Sequence, residues 1–283
     1  MKTYVLCGAS SRGLAMYAQP IVQYFRQSAR LAGIYDPNQL RAKVVSSRAG
    51  DTPVFDNFDA MLQQTRPDCV IVTTMDRFHH EYIIRSMDAG CDVITEKPMT
   101  IDDEKCRAIL AAEQRSGRKL IVTFNYRFTP FATRIKEVLR TGVLGKILSV
   151  DFEWLLDTSH GADYFRRWHA HLENCGGLLV HKATHHFDLV NWWIEDEPKT
   201  VFALGSLSST VRSAPRAAST AALAPIPILA SSIGTPPPTR TSGRSISTRN
   251  RPMATCAIAA FSVTRSISTI PCRPMWPIAA GRF

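Results

Sequence analysis

The sequence predicts an α/β fold: a doubly wound parallel sheet, followed by an incomplete α/β domain built on an open sheet, and then an irregular tail. Three observations carry this expectation. Short apolar strands alternate with helical runs through about residue 122, which is the pattern of a parallel sheet with helices on its faces. A glycine-rich turn joins the first strand to the first helix. Acidic residues stop at Glu197 and lysines at Lys199, so the chain changes character there. The expected divisions are 1–122, 123–205 and 206–283.

The first unit opens with the strand Tyr4-Val5-Leu6-Cys7, the turn Gly8-Ala9-Ser10-Ser11-Arg12-Gly13, and a run in which Leu14, Tyr17, Ile21, Val22 and Phe25 recur at helical spacing. Gly8 permits a tight turn, Gly13 permits close packing of helix on strand, and the amides of Ser11 and Arg12 at the helix start can hold a pyrophosphate. Ser10 stands where the middle glycine of G-x-G-x-x-G belongs, which brings a side chain near the phosphates. The next strand, Leu31 to Tyr35, ends in Asp36. A carboxylate there accepts bonds from both ribose hydroxyls and repels a 2'-phosphate, favouring NAD while leaving NADP possible. Asp36-Pro37-Asn38 is also a plausible helix-capping turn, and Arg41 lies close enough to soften the repulsion.

The alternation continues with Val54-Phe55, a short helix carrying Phe58, Met61 and Leu62, the strand Cys69 to Thr73, and a helix from about His79 to Ala89. The strand Asp92 to Thr95 then leads into Glu96-Lys97-Pro98. The carboxyl ends of parallel strands form the ligand crevice, so Lys97 is placed at its mouth, with Pro98 making the exit stiff and non-helical. Thr100 is expected to cap the following helix, with Asp102 and Asp103 in its first turn. Leu120 to Phe124 closes the unit.

Further along lie Asn125-Tyr126-Arg127, a strand expected over Lys146 to Glu153, Gly176-Gly177, and His181-Lys182-Ala183-Thr184-His185-His186-Phe187-Asp188. On one continuous helix, His181, His185 and Asp188 fall on a single stripe. Trp192 and Trp193 fit that helix's buried face. His169 and His186 read as packed or exposed histidines. The i, i+4 pair His181 and His185 has the spacing of zinc ligands, yet no glutamate stands where H-E-x-x-H requires it, so no metal is expected.

Gly8 to Gly13, Thr73-Thr74 with His79 five residues on, Glu96-Lys97-Pro98, Asn125-Tyr126-Arg127, and Gly176-Gly177 with His185 and Asp188 together resemble the glucose-fructose oxidoreductase / inositol dehydrogenase / MocA family over roughly residues 1 to 205. The resemblance implies an N-terminal Rossmann domain that binds the cofactor through Gly8, Ser10, Ser11, Arg12, Gly13, Asp36, Thr73, Thr74, His79, Glu96 and Lys97. It also implies a C-terminal α/β domain whose open sheet often forms a homo-oligomer interface, which is doubtful for this chain, and hydride transfer to or from a sugar, inositol or related polyol. His185 would act as acid/base or orient the substrate hydroxyl, with Lys97 bonding the same oxygen. His181 stands where the family often has Asp, and Arg127, Trp168 and Asp188 would line the substrate site. Because alcohol oxidation makes the hydroxyl acidic, a base of near-neutral pKa such as histidine suits it, and a positioned base contributes ~10²–10⁴-fold in rate. The Ser10 and His181 departures keep open an NAD-binding member of the same fold without dehydrogenase activity, such as a sensor.

The net charge of +10 suggests nucleic acid, but its distribution argues otherwise. From Ser206 onward the only charged residues are nine arginines; removing them from 34 basic residues leaves 25 against 24 acidic. Arginine without lysine or interleaved aromatics makes an unconvincing nucleic-acid arm. The tail is rich in Ser, Thr, Ala, Pro and Arg and shows no sustained period. Such bias arises when a GC-rich gene is translated out of frame. Taking each codon's third base as the next codon's first, Pro274-Met275-Trp276-Pro277 permits a hidden Val-Ala preceded by Asn, Asp, His or Tyr, and the same shift permits, among the many strings that codon degeneracy allows, a mixed, acid-containing one over Ala254 to Thr269. A frameshift near 205–208 is the reading that follows. Seven cysteines without C-x-x-C spacing point to a reducing compartment. No apolar stretch approaches 18 residues and Met1 runs straight into the first strand, so neither membrane span nor signal peptide is expected and cytoplasm is the default.

Overall fold

The structure, a computed structural model, describes residues 1–156, 161–165, 167–203 and the pair 256–257. Six strands, β1 (Lys2–Cys7), β2 (Ala29–Tyr35), β3 (Val54–Phe55), β4 (Cys69–Val72), β5 (Asp92–Glu96) and β6 (Leu120–Thr123), form one sheet in the order β3-β2-β1-β4-β5-β6. Every neighbouring pair is parallel. The order reverses between β1 and β4, and ligands of such sheets bind at the carboxyl ends on either side of that switch.

Alternation along the central strands explains why helices cover both faces. Val5, Val70, Val72 and Val93 point to one side, where they pack with Phe58, Met61 and Leu62 of α3 (Phe58–Thr65), Tyr82, Ile83 and Met87 of α4 (His79–Asp88), and Ile109 and Ala112 of α5 (Asp103–Ser116). Leu6, Ile34 and Ile71 point to the other side, against Ala18 and Ile21 of α1 (residues 11–24) and Ala42 and Val45 of α2 (Gln39–Arg48).

Helix starts follow side-chain chemistry. Asn38 and Asn57 accept from the amides of Arg41 and Ala60 at the heads of α2 and α3. Thr100, the expected cap of α5, is not the cap: Asp102 accepts the Lys105 amide at 2.8 Å, while the Thr100 hydroxyl is buried two residues upstream. A carboxylate adjacent to the first helical residue is better placed for this than a hydroxyl farther back. Within α1 the turn Leu14–Ala18 is wide, Gln19 N–H donating to Leu14 O five residues back. Pro20 lacks an amide and its ring crowds the carbonyl four residues earlier, and a wide turn relieves both.

After β6 comes a single turn, Asn125–Phe128, then α6 (Pro130–Arg140), short helices α7 (Leu172–Cys175) and α8 (Leu178–His181), and α9 (Thr184–Ile194). Ala132 of α6 packs with Leu189 and Trp193 of α9, and the Trp193 indole donates to Ala132 O at 3.0 Å. Buried Lys136 donates to Trp192 O and to Glu195 Oε1, each at 2.5 Å, placing a cation at the carbonyl end of α9.

The strand expected over Lys146 to Glu153 does not form. Phe152 and Trp154 instead turn inward, Phe152 joining the cluster around Trp193 and Trp154 stacking on His186 with centroids 4.7 Å apart. A strand needs a ladder partner, and the pairing present is two residues long: β7 (Leu155–Leu156) runs antiparallel to β8 (Cys256–Ala257). Apart from that pair, the tail reading of 206–283 lies outside the described residues.

The core argument sets a contrast in stability. Phe58, 1% exposed at the centre of one apolar layer, should cost ~3–5 kcal/mol when replaced by Ala, whereas Leu40→Ala, at a site 76% exposed, should stay within ~0.5 kcal/mol. Urea titration followed by circular dichroism reads the difference. Equal midpoints for the two variants would contradict the assigned packing.

Candidate active site

The turn after β1 is shaped by what cannot fit there. Gly8 has φ +101°, and a Cβ on it would lie 2.6 Å from the Thr73 carbonyl carbon; a Cβ on Gly13 would lie 2.5 Å from Thr73 Oγ1. Thr73, just beyond β4, locks this approach by donating its hydroxyl to Gly8 O at 2.5 Å. Helix α1 therefore begins tight against the switch point, with the first-turn amides of Ser11 and Arg12 lacking intrahelical acceptors. Ser10 does not carry its hydroxyl out toward the phosphates: Oγ accepts the Gly13 amide at 3.0 Å and caps α1, the ordinary use of serine at a helix start.

Buried Asp36 at the end of β2 accepts Ala9 N–H at 2.7 Å and Asn38 N–H at 2.8 Å, and Arg41 stands 3.6 Å from it. The cap of α2 is Asn38. Asp36 thus braces the glycine turn and lies where the sequence placed the ribose contact.

Three segments converge at the ends of β4 and β5. Buried His79 spans the gap, Nδ1 lying 2.9 Å from Pro98 O and Nε2 3.1 Å from Thr74 O. The Lys97-Pro98 peptide is cis. Glu96 accepts from the Tyr17 hydroxyl at 2.6 Å and sits 3.1 Å from Arg12 Nε. The Tyr17 oxygen also lies 3.0 Å from Thr123 Oγ1, so Tyr17 and Glu96 together brace α1 against the strand ends. A cleft bordered by Arg12, Tyr17, Glu96, Thr123, Phe124 and Arg127 opens beside it.

Lys97 reaches His181, and no bond joins it to His185. Its Nζ donates to His181 O at 2.7 Å and lies 3.4 Å from His181 Nε2, while His181 Nδ1 is 2.5 Å from Asp76 Oδ2. Burial pulls the Lys97 ammonium down to about 8, against the pull of the Asp76 carboxylate. Burial, reinforced by Lys97 and Lys182, holds the His181 imidazole down to about 3. Burial also pushes the Asp76 carboxyl up to about 7, opposed by His79 and Lys97. Asp76 was not singled out in the sequence. The signal was its place two residues past Thr74, on the same crevice rim.

His181, His185 and Asp188 do not share one helix. Helix α8 ends at His181, and α9 starts at Thr184 after Lys182 and Ala183. Adjacent residues are committed in different directions there: His181 to Asp76, and buried Lys182 to the Tyr126 hydroxyl at 2.7 Å. His185 instead stacks on Tyr126, centroids 4.0 Å apart and planes within 6°. Burial, then Lys97 and Lys182, depresses its imidazole to about 3. Asp188 accepts from Nε and Nη2 along one edge of the Arg127 guanidinium, so these two expected substrate contacts neutralise each other. Trp168 packs near His181, centroids 5.6 Å apart. Buried His186 packs against the stacked rings of Phe152 and Trp154.

Comparisons with known proteins place the chain in a family. A model described as an oxidoreductase family, NAD-binding Rossmann fold, matches residues 2–124, and its companion, the oxidoreductase family C-terminal alpha/beta domain, matches residues 136–223, running past the compositional break. YteT of Bacillus subtilis (strain 168) is 43% identical over 213 residues, 74% of this chain and 50% of that protein. D-glucoside 3-dehydrogenase of Escherichia coli (strain K12) is 31% identical over 122 residues, 43% of this chain and 35% of that one. The structure of scyllo-inositol dehydrogenase from Lactobacillus casei with bound cofactor NAD(H) and scyllo-inositol superposes with TM-score 0.59 at 22% identity, over 69% of this chain and 56% of that one; a likeness at this identity speaks to the fold. The chain spans about half the length of the curated relatives it matches. With both domains of one architecture matched in order around a glycine turn, an Asp36 brace and a Glu96-Lys97-Pro98 corner, the chain belongs to the glucose-fructose oxidoreductase, inositol dehydrogenase and MocA family of NAD-binding oxidoreductases.

Proposed function

We propose that the chain carries the cofactor site and the catalytic lysine and histidines of a dehydrogenase acting on a sugar, inositol or related polyol, residues 1–122 serving as the nucleotide domain and 123–205 as part of the substrate domain. The observation that carries this reading is the convergence of Lys97 on His181, with His185 nearby, at the carboxyl end of β5. The site fits the cofactor the fold implies, because the space that side chains at Gly8 and Gly13 would occupy is taken up by the close approach of turn and strand, and helix-start amides are what a pyrophosphate requires. Bound there, NAD supplies the hydride acceptor.

The protein's own part is positioning and proton handling. The Ser11 and Arg12 amides would hold phosphate oxygens, and Asp36 would receive the ribose. Lys97 donates to the substrate oxygen, stabilising negative charge as it develops. A neutral imidazole takes the hydroxyl proton, and burial keeps both His181 and His185 neutral. Names of relatives support the substrate class: D-glucoside 3-dehydrogenase and several inositol 2-dehydrogenases. The frameshift reading of residues beyond 205–208 belongs to this proposal, since it accounts for the abrupt loss of acids and lysines after Lys199. Sequencing the gene across the codons for Ala203 to Arg212 tests it: one displaced base supports it, and an intact frame removes it.

Asp36 makes cofactor preference testable. Calorimetric titration of the chain should show NAD binding at least ~10-fold tighter than NADP, about 1.4 kcal/mol. Equal or tighter NADP binding would remove Asp36 from ribose recognition.

Lys97→Ala and His185→Ala should each lower turnover by ~10²-fold or more on any polyol or sugar the wild type oxidises, with NAD affinity changed less than ~3-fold. Wild-type turnover in either variant takes that residue out of the chemistry.

A further inference from the structure

The two ring nitrogens of His181 face groups of opposite character. Nδ1 meets Asp76 Oδ2 at 2.5 Å, while Nε2 lies 3.4 Å from Lys97 Nζ. An ionised carboxylate only accepts hydrogen bonds and an ammonium only donates them. The proton of a neutral imidazole therefore belongs on Nδ1, and the lone pair on Nε2. Asp76 is itself buried, and its element, the turn between β4 and α4, is tied to the β5 corner through His79.

We propose that Asp76 is the positioning residue of the site: it fixes His181 as the Nδ1–H tautomer and holds the Nε2 lone pair beside Lys97, so that His181, standing where the family often has an aspartate, accepts the substrate proton. The inference rests on the dehydrogenase reading and deepens it. The carbinol O–H bond breaks and its proton passes to His181 Nε2; NAD, held by the glycine turn and Asp36, would accept the hydride from the carbinol carbon, leaving a carbonyl. The resulting imidazolium is held against the Asp76 carboxylate, and the proton leaves to solvent or, in the reverse direction, returns to the alkoxide oxygen.

His185, left to orient the substrate hydroxyl, is less suited to this step. Its ring is stacked face to face on Tyr126 and its buried Nδ1 has no partner among the described residues, so nothing orients it as Asp76 orients His181. Groups facing the pair come from each neighbouring element: Lys97 and Glu96 from β5 and its exit, His79 from α4, Lys182 beside the α8 end, and the rings of Tyr164, Trp168 and His169 around His181. With the carboxyl pushed up by burial and the imidazole pushed down by burial and Lys97, Asp76 and His181 titrate as one unit. Below neutral pH the unit gains a proton and loses its free lone pair; above it, the accepting form is populated.

The test is the histidine tautomer, read by nitrogen NMR on the full chain labelled with ¹⁵N-histidine, with His181→Asn identifying the signal. At about pH 8 the wild type should show His181 protonated at Nδ1 and bare at Nε2. Asp76→Ala should lose that exclusive population, and Asp76→Asn, whose amide oxygen can still accept, should keep the tautomer but lose the near-neutral titration. A wild-type His181 protonated at Nε2 overturns the proposal without any variant having to fold, and an unchanged tautomer in Asp76→Ala overturns it too. NAD titration of the same wild-type sample separates the two claims: NAD binding with the wrong tautomer refutes the role of Asp76 alone, while absent NAD binding refutes the dehydrogenase reading on which that role depends.

Discussion

An ammonium withdrawn from water needs acceptors, and Lys97 finds them across the boundary between sheet and second segment, at His181 O and near His181 Nε2. That contact fixes where α8 ends relative to the carboxyl edge of the sheet. Asp76 adds the opposite charge on the far side of the imidazole, so lysine, imidazole and carboxylate form one chain of bonds between three segments distant in sequence. Removing either charged end would leave the other buried without its counterpart, the costly case for ionic groups in protein interiors. Burial at this junction brings the lysine down and the carboxyl up toward neutrality, the range that proton transfer near neutral pH calls for, while it holds the imidazole neutral with its lone pair free.

The cofactor side depends on a different constraint, the near-contact of the glycine turn with Thr73. Gly8 meets the Thr73 backbone and Gly13 the Thr73 hydroxyl, so neither admits a side chain, and that hydroxyl holds the approach by donating to Gly8 O rather than to a ligand. Asp36 and Glu96 likewise brace as well as face the crevice, one tied to Ala9 and the other to Tyr17 and Arg12. A ligand entering here would meet a largely formed site, in which the first-turn amides of α1 remain to be satisfied.

The parallel sheet was legible because each of its strands is an apolar run between turn residues, and the alternation of Val5 with Leu6, or Val70 with Ile71, assigns the two helical layers directly. The glycine turn and the Glu96-Lys97-Pro98 corner were legible because motifs placed at strand ends are local. What sequence periodicity could not show was long-range commitment. The stripe of His181, His185 and Asp188 assumed an unbroken helix, yet the pull of Asp76 on one residue and Tyr126 on the next ends α8 at His181. The strand expected before Glu153 needed a ladder that its own residues cannot supply, and Phe152 and Trp154 packed into the α6–α9 cluster instead. Asp76 escaped notice because a lone acid after a strand is common; only its partner, 105 positions away, gives it meaning.

A structure of the chain with NAD bound tests the central claim most directly. The account predicts pyrophosphate oxygens on the Ser11 and Arg12 amides, the adenosine ribose at Asp36, and the nicotinamide ring turned to the Lys97 and His181 side, leaving room for a substrate carbon within about 3.5 Å of both ring and base. A nicotinamide facing away from Lys97, or a dinucleotide bound elsewhere on the chain, would contradict it.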